Sequence, residues 1–171
     1  MLFPGYSGPV ARAATPAIAV LLAAEAPHDV LQYKHDPRND SFGEEAVAEL
    51  AGVAGVDPDQ VFKTLVITLP KGLGVAVLPV RSKLSLKAAA AALGVAKATM
   101  ADRAAAERST GYVIGGISPL GQRKPLPTVV DASATSWDRV LCSAGKRGWE
   151  ISVHPQDLIR LTNAATADIR A

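Results

Sequence analysis

At 171 residues, 49% of them hydrophobic and 20% charged, the chain is long enough for a single domain to bury its own core without metal or disulfide support. The lone cysteine, Cys142, excludes an internal disulfide and agrees with a reducing cytoplasm, and no uninterrupted apolar run approaches the roughly 18 residues of a membrane helix. The net charge of +2 hides an asymmetry: residues 1–60 are acidic, whereas residues 81–124 set Arg81, Lys83, Lys87, Lys97, Arg103, Arg108, Arg123 and Lys124 against Asp102 and Glu107 alone, a basic face suited to a phosphate-bearing partner or to a solvated helix.

In chain order, residues 1–14 are Gly/Pro/Ala-rich without periodicity and read as a flexible N-terminal extension with no secretory signal; residues 15–171 read as one domain. Thr15-Pro16 supplies an N-cap and a first helical residue, with Ile18, Leu21 and Leu22 on one face and a stop at Pro27. Val30 to Lys34 is a short strand. Ser41 to Glu44 has capping-box spacing ahead of a helix that carries Val47 and Leu50. Asp57-Pro58-Asp59-Gln60 is a capped single turn, after which VFKTLVITL and GVAVLPV form a hairpin about Lys71-Gly72. Ser85 caps the alanine-rich LKAAAAALG, which Gly94 stops, and Asp102 caps a helix through Arg108. Strands follow at 128–130, 139–142 and 149–153, and a last helix starts near Pro155. Helices interspersed with short, hairpin-linked strands predict an α+β fold whose mixed, mostly antiparallel sheet forms a partial barrel.

The stretch TGYVIGGISPLGQRKPLPTVVD, residues 110–131, interrupts strand-like sequence with Gly115-Gly116, two proline-bounded turns and Arg123-Lys124, and reads as a binding loop. Lys63 lies inside the apolar strand VFKTLVI, where its ammonium suits a phosphate at the mouth of a cleft. His35 and Asp36 are adjacent on an extended segment, so they point apart and form no acid–base dyad; Asp36 reads as a turn cap before Pro37. Tyr33 offers a hydroxyl to a ligand. The basic turn SAGKRG, residues 143–148, is neither a phosphate-binding loop nor a nucleophile elbow, but set beside the Gly-Gly loop it supplies a second wall. Cys142 reads as a buried inert thiol, and the scattered His28, His35 and His154 form no metal cluster. With no nucleophile–base pair, no metal and no cofactor visible, positioning and the substrate itself are left to carry any catalysis.

TPAI at 15, YKHDP at 33, FGEEA at 42, DPDQVFKTL at 57, LKAAAAALG at 86, MADRAAAERSTGY at 100, GGISPLGQRK at 115, LPTVVD at 126 and SAGKRG at 143, in this order and spacing, resemble the YbaK-type aminoacyl-tRNA deacylases, relatives of the editing domain inserted in bacterial prolyl-tRNA synthetases. The resemblance covers the chain from Thr15 to about Arg170. It implies hydrolysis of Cys-tRNA(Pro), with Cys-tRNA(Cys) as a further substrate, in the cytoplasm. It also implies two partners, the acceptor end of the tRNA on the basic face 81–124 and prolyl-tRNA synthetase, and no membrane or DNA. By position, Lys63 is implied to hold the 3′-terminal phosphate or adenosine, Tyr33 to line the pocket, and Gly115 to lie against the aminoacyl group; Ser118, Ser143 and Glu150 join the substrate-binding set. Where many relatives have an aspartate, this chain has Glu150, which keeps the charge and adds a methylene, and Ala144 stands where some have glycine.

The implied nucleophile is the substrate's own cysteine thiol, with backbone N–H groups near Gly115 and Gly116 for the developing oxyanion. A Gly115→Ala change is then expected to crowd the aminoacyl group, provided the backbone angle admits a Cβ. The competing readings are an Ala-tRNA(Pro) deacylase, a non-catalytic tRNA- or synthetase-binding module of the same fold, and a thiol hydrolase using Cys142.

Overall fold

Capping chemistry sets most of the helix starts. The computed structural model describes residues 2–4 (backbone alone), 14–52 and 55–171. Thr15 Oγ1 accepts from Ile18 N–H at 3.1 Å and opens α1 (Pro16–Ala23), which buries Ala17, Ile18 and Leu21. Ser85 and Asp102 cap α3 (Leu86–Ala92) and α4 (Arg103–Thr110) in the same way. The Asp57–Gln60 box closes a single 3-10 turn, Pro58–Gln60.

The expected capping box at Ser41 does not form. Ser41 makes no side-chain cap to α2 (Phe42–Leu50), and its own N–H donates to Asn39 Oδ1 at 2.9 Å. The acid that reaches back from this helix is Glu45: its Oε1 lies 2.6 Å from His35 Nδ1, and its Oε2 accepts from Asp36 N–H at 3.0 Å. Glu45 thereby ties the loop after β2 (His28–Gln32) to α2.

One sheet is wholly antiparallel, in the order β1 (Leu2–Pro4), β2, β8 (Trp149–Val153), β7 (Val140–Lys146). The second is mixed, in the order β5 (Thr99–Met100), β3 (Phe62–Thr68), β4 (Leu73–Pro79), β6 (Thr128–Asp131), β9 (Ala165–Ala167), with the β4–β6 and β6–β9 pairings parallel. A parallel bridge between Val61 and Leu141 joins the two sheets at one corner. This is the mixed, mostly antiparallel α+β arrangement read from the sequence. Within the segment 1–14 that the sequence reads as a flexible extension, Leu2–Pro4 pair with Asp29–Leu31 along the edge of this sheet, and residues 5–13 lie outside the described residues.

Strand alternation builds the core on both faces of the mixed sheet. Val75 and Val77 of β4 point into the main cluster with Val30, Ile151, Val153 and Cys142 of the opposing sheet, beneath α1 and Leu158 of α5 (Pro155–Thr162). Ala76 and Leu78 point the other way, against Ala89 of α3 and Ile169. A third cluster places Leu31 and Leu141 under Ala46 and Leu50 of α2. Among the described residues no helix is long and apolar enough to cross a membrane.

Candidate functional site

The first half of β3, the start of β8, the end of β7 and the loops carrying Tyr33 and Gly115 converge on a cavity of about 230 Å³. Aromatic rings wall it (Tyr33, Phe42, Phe62, Trp149), Ile114, Ile117 and Leu65 add aliphatic surface, and Lys63, Lys146, Ser143 and Glu150 supply the polar groups. A mostly apolar lining with a few convergent polar groups is what a small organic moiety requires.

Lys63 is half-buried on β3, and its Nζ donates to Val80 O at 3.2 Å and Ser82 O at 2.7 Å. Two of its three donors fix the ammonium at the cavity edge, which leaves one for a ligand. Burial lowers its pKa. Tyr33, whose N–H donates to Gly148 O at 2.9 Å, is held above the usual phenol range, first by burial and then by the nearby Glu150 and Glu45, so it stays neutral and able to donate.

Glu150 is the outlier. It sits on β8 opposite Leu31 on one side and Ser143 on the other, is only 7% exposed, and its Oε2 has no hydrogen-bond partner. Burial pushes its pKa up to about 8. Cys142, one residue from Ser143 on β7, is fully buried, and burial followed by the field of Glu150 raises its thiol far above the reactive range.

The Gly-Gly loop divides. Gly115 lines the cavity at φ +87°, and a Cβ built there would lie 2.5 Å from the Phe42 ring. The close approach served by this glycine is therefore to Phe42, so an alanine crowds that ring in the first instance rather than the ligand. Gly116 does not line the cavity: its N–H donates to Val113 O at 2.9 Å in a tight turn, and an added Cβ would meet the Lys146–Arg147 backbone at 3.1 Å, which corrects its expected place as an oxyanion donor. Ser118, expected at the substrate, is fully buried and also off the cavity; its Oγ accepts from Leu120 N–H at 3.2 Å and its carbonyl from Gln122 Nε2 at 3.0 Å, both in service of the turn. Ser143 lines the cavity, and its Oγ accepts from Gly145 N–H at 3.1 Å. Arg123 and Lys124 sit away from the cavity, their N–H groups bonded to Thr110 O and Ser109 O at the end of α4.

Phe42 is not singled out in the sequence as a site residue, and Arg147 reads only as part of the basic turn 143–148. Phe42 forms a wall, and Arg147 braces it, with the guanidinium carbon 4.6 Å from the ring centroid and Nε donating to Ile114 O at 2.9 Å. Arg147 thus joins the β7–β8 turn to the glycine loop. The signal available in the sequence was an aromatic residue beside a glycine at Phe42-Gly43, which is too common to single out.

Residues 43–161 match the family model described as an aminoacyl-tRNA editing domain. This chain belongs to the aminoacyl-tRNA editing domain family. The editing domain is 37% identical over 139 residues to EbsC of Enterococcus faecalis, named for Cys-tRNA(Pro)/Cys-tRNA(Cys) deacylase activity, a match that covers 81% of this chain and 83% of that protein. It is also 30% identical over 110 residues to a proline–tRNA ligase of Shouchella clausii, covering 64% of this chain and 19% of the ligase. Its fold superposes with a TM-score of 0.77, at 24% identity, on a crystal structure described as that of a trans-editing enzyme for prolyl tRNA synthetase, covering 96% of this chain and 98% of the other.

Proposed function

We propose that this editing domain is a trans-acting deacylase that releases cysteine from mischarged Cys-tRNA(Pro), and from Cys-tRNA(Cys), using the substrate thiol as nucleophile. The observation that carries the reading is a cavity of aminoacyl size with a tethered lysine at its edge and, among the described residues that line it, no hydroxyl or thiol hydrogen-bonded to a histidine or carboxylate. The similarity to EbsC supports the substrate assignment.

In this mechanism the apolar cavity folds the cysteine side chain over its own ester. The thiol sulfur forms a bond to the ester carbonyl carbon, the carbon–oxygen bond to the ribose breaks, and the thiol proton ends on the ribose hydroxyl. The resulting four-membered thioester ring is then opened by water to give cysteine. Proximity replaces a bimolecular encounter, so no protein nucleophile is needed. Lys63, with one donor free of the Val80 and Ser82 carbonyls, holds the 3′-terminal nucleotide by a phosphate or hydroxyl. The remainder of the acceptor end follows the basic face 81–124, and prolyl-tRNA synthetase, which the similarity to a proline–tRNA ligase brings in, selects the tRNA.

The test is single-turnover deacylation of tRNA(Pro) charged with cysteine, alanine, serine or proline. Release of cysteine alone is expected. Release of alanine or serine at comparable rates contradicts a thiol-dependent step.

A further inference from the structure

Glu150 is the one carboxylate among the residues lining the cavity, and no lysine, arginine or histidine lies within ion-pairing distance of it among the described residues. Its Oε2 is buried and unpartnered. Burying an acceptor without a partner destabilises a fold by about 1–3 kcal/mol, and more for a charge, so such a group is kept at a cost unless a ligand completes it. Structural needs do not explain it. The neighbouring positions in register are Leu31 and Ser143, and neither bonds that oxygen.

An aminoacyl ester offers the missing partner. It carries a single cationic group, the α-ammonium, one atom from the carbonyl to be attacked, with three N–H donors. The other ionisable groups of the cavity are unsuited to it: Lys63 and Lys146 repel a cation, and Tyr33 is a neutral phenol. We infer that Glu150 is the receptor for the substrate's α-ammonium, so that the site reads the free amino group of the aminoacyl ester. Ammonium entry converts the protonated carboxyl of the empty cavity into a carboxylate within a charge-assisted pair. Pairing at this point also fixes rotation about the Cα–carbonyl bond, which sets where the thiol lies relative to the ester.

This inference rests on the reading of the cavity as an aminoacyl-ester site, and the experiment separates the two. Wild type and Glu150→Gln are compared on Cys-tRNA(Pro) and on 3-mercaptopropionyl-tRNA(Pro), which keeps thiol and ester, lacks the amino group and adds no bulk. The quantity read is the ratio of kcat/KM values for the two substrates in each protein, which cancels the intrinsic difference in ester reactivity. Glutamine is expected to shrink that ratio by about 10- to 100-fold through loss on the cysteinyl substrate alone, the size of a hydrogen-bonded contact to a charged group. An unchanged ratio, with both substrates slowed together or neither slowed, overturns the ammonium role while leaving the deacylase reading intact. No turnover of either substrate by wild type overturns both. Should Glu150→Gln fold poorly, competition of Cys-tRNA(Pro) turnover by cysteinyl and 3-mercaptopropionyl esters of adenosine decides with wild type alone: equal inhibition constants overturn the inference.

Discussion

Replacing Glu150 by glutamine keeps the shape of the side chain and removes its titration, so the pH dependence of stability isolates the charge. In the folded protein burial pushes the carboxyl pKa up to about 8, against an ordinary value of 4.5. Because the folded-state value is raised, the folded protein holds a proton that the unfolded chain has released at any pH between those two values. Stability from this group is therefore fully present below about pH 4.5 and is lost as pH rises toward 8, at about 1.4 kcal/mol per pH unit. The groups facing it, Tyr33 from the end of β2, Cys142 from β7, Lys63 from β3 and Lys146 from the end of β7, do not pair with it. Integrated over the window, the loss reaches at most on the order of 4 kcal/mol, a large share of the ~5–15 kcal/mol by which domains are stable. Urea midpoints of wild type and Glu150→Gln at pH 5, 6, 7 and 8 should diverge steadily, with the glutamine protein gaining on wild type by about 2–4 kcal/mol between the ends. Parallel curves with a constant offset would refute the claim that this carboxyl is buried without a partner.

Other substitutions test the remaining parts of the site. Lys63→Ala should abolish deacylation and lower stability by about 1–2 kcal/mol, since the Val80 and Ser82 carbonyls lose their donor; rapid-quench turnover and thermal melts read both. Gly115→Ala should cost about 1–3 kcal/mol from its φ of +87° and from the Phe42 ring, and adding Phe42→Leu should recover the steric part of that loss in denaturation midpoints. Cys142→Ala should retain full deacylation while losing about 1 kcal/mol of stability, because the thiol is core and not chemistry; a dead variant with a normal melt would restore the thiol-hydrolase reading.

What the sequence made legible was whatever is written locally. Thr15, Ser85, Asp102 and the Asp57–Gln60 box each satisfy N–H groups two or three residues away, so their helices and turn start where the residues say. The β3–β4 hairpin follows from apolar runs about Lys71-Gly72. By contrast β5 and β9, two and three residues long, have no room for an alternating pattern and exist only through pairing with β3 and β6. The box at Ser41 fails for a local reason of another kind: the Ser41 N–H that Glu44 would have to receive already donates to Asn39 Oδ1.

Tyr33, Lys63, Gly115, Ser143 and Glu150 line one cavity, although nothing in their local spacing places them together. Gly116 and Ser118 share the same motif but are consumed by turn hydrogen bonds, a division that depends on which side of the loop faces β7. The orphaned Oε2 of Glu150 was equally invisible, because burial is a property of the whole fold.

The central claim is that this cavity removes cysteine from tRNA through the substrate's own thiol. The most direct measurement sets Cys-tRNA(Pro) beside the same tRNA carrying S-methylcysteine, which blocks the nucleophile while keeping the amino group and the ester. Rapid release of cysteine with no release of S-methylcysteine above the uncatalysed rate is the predicted result, and equal release of both would contradict the account.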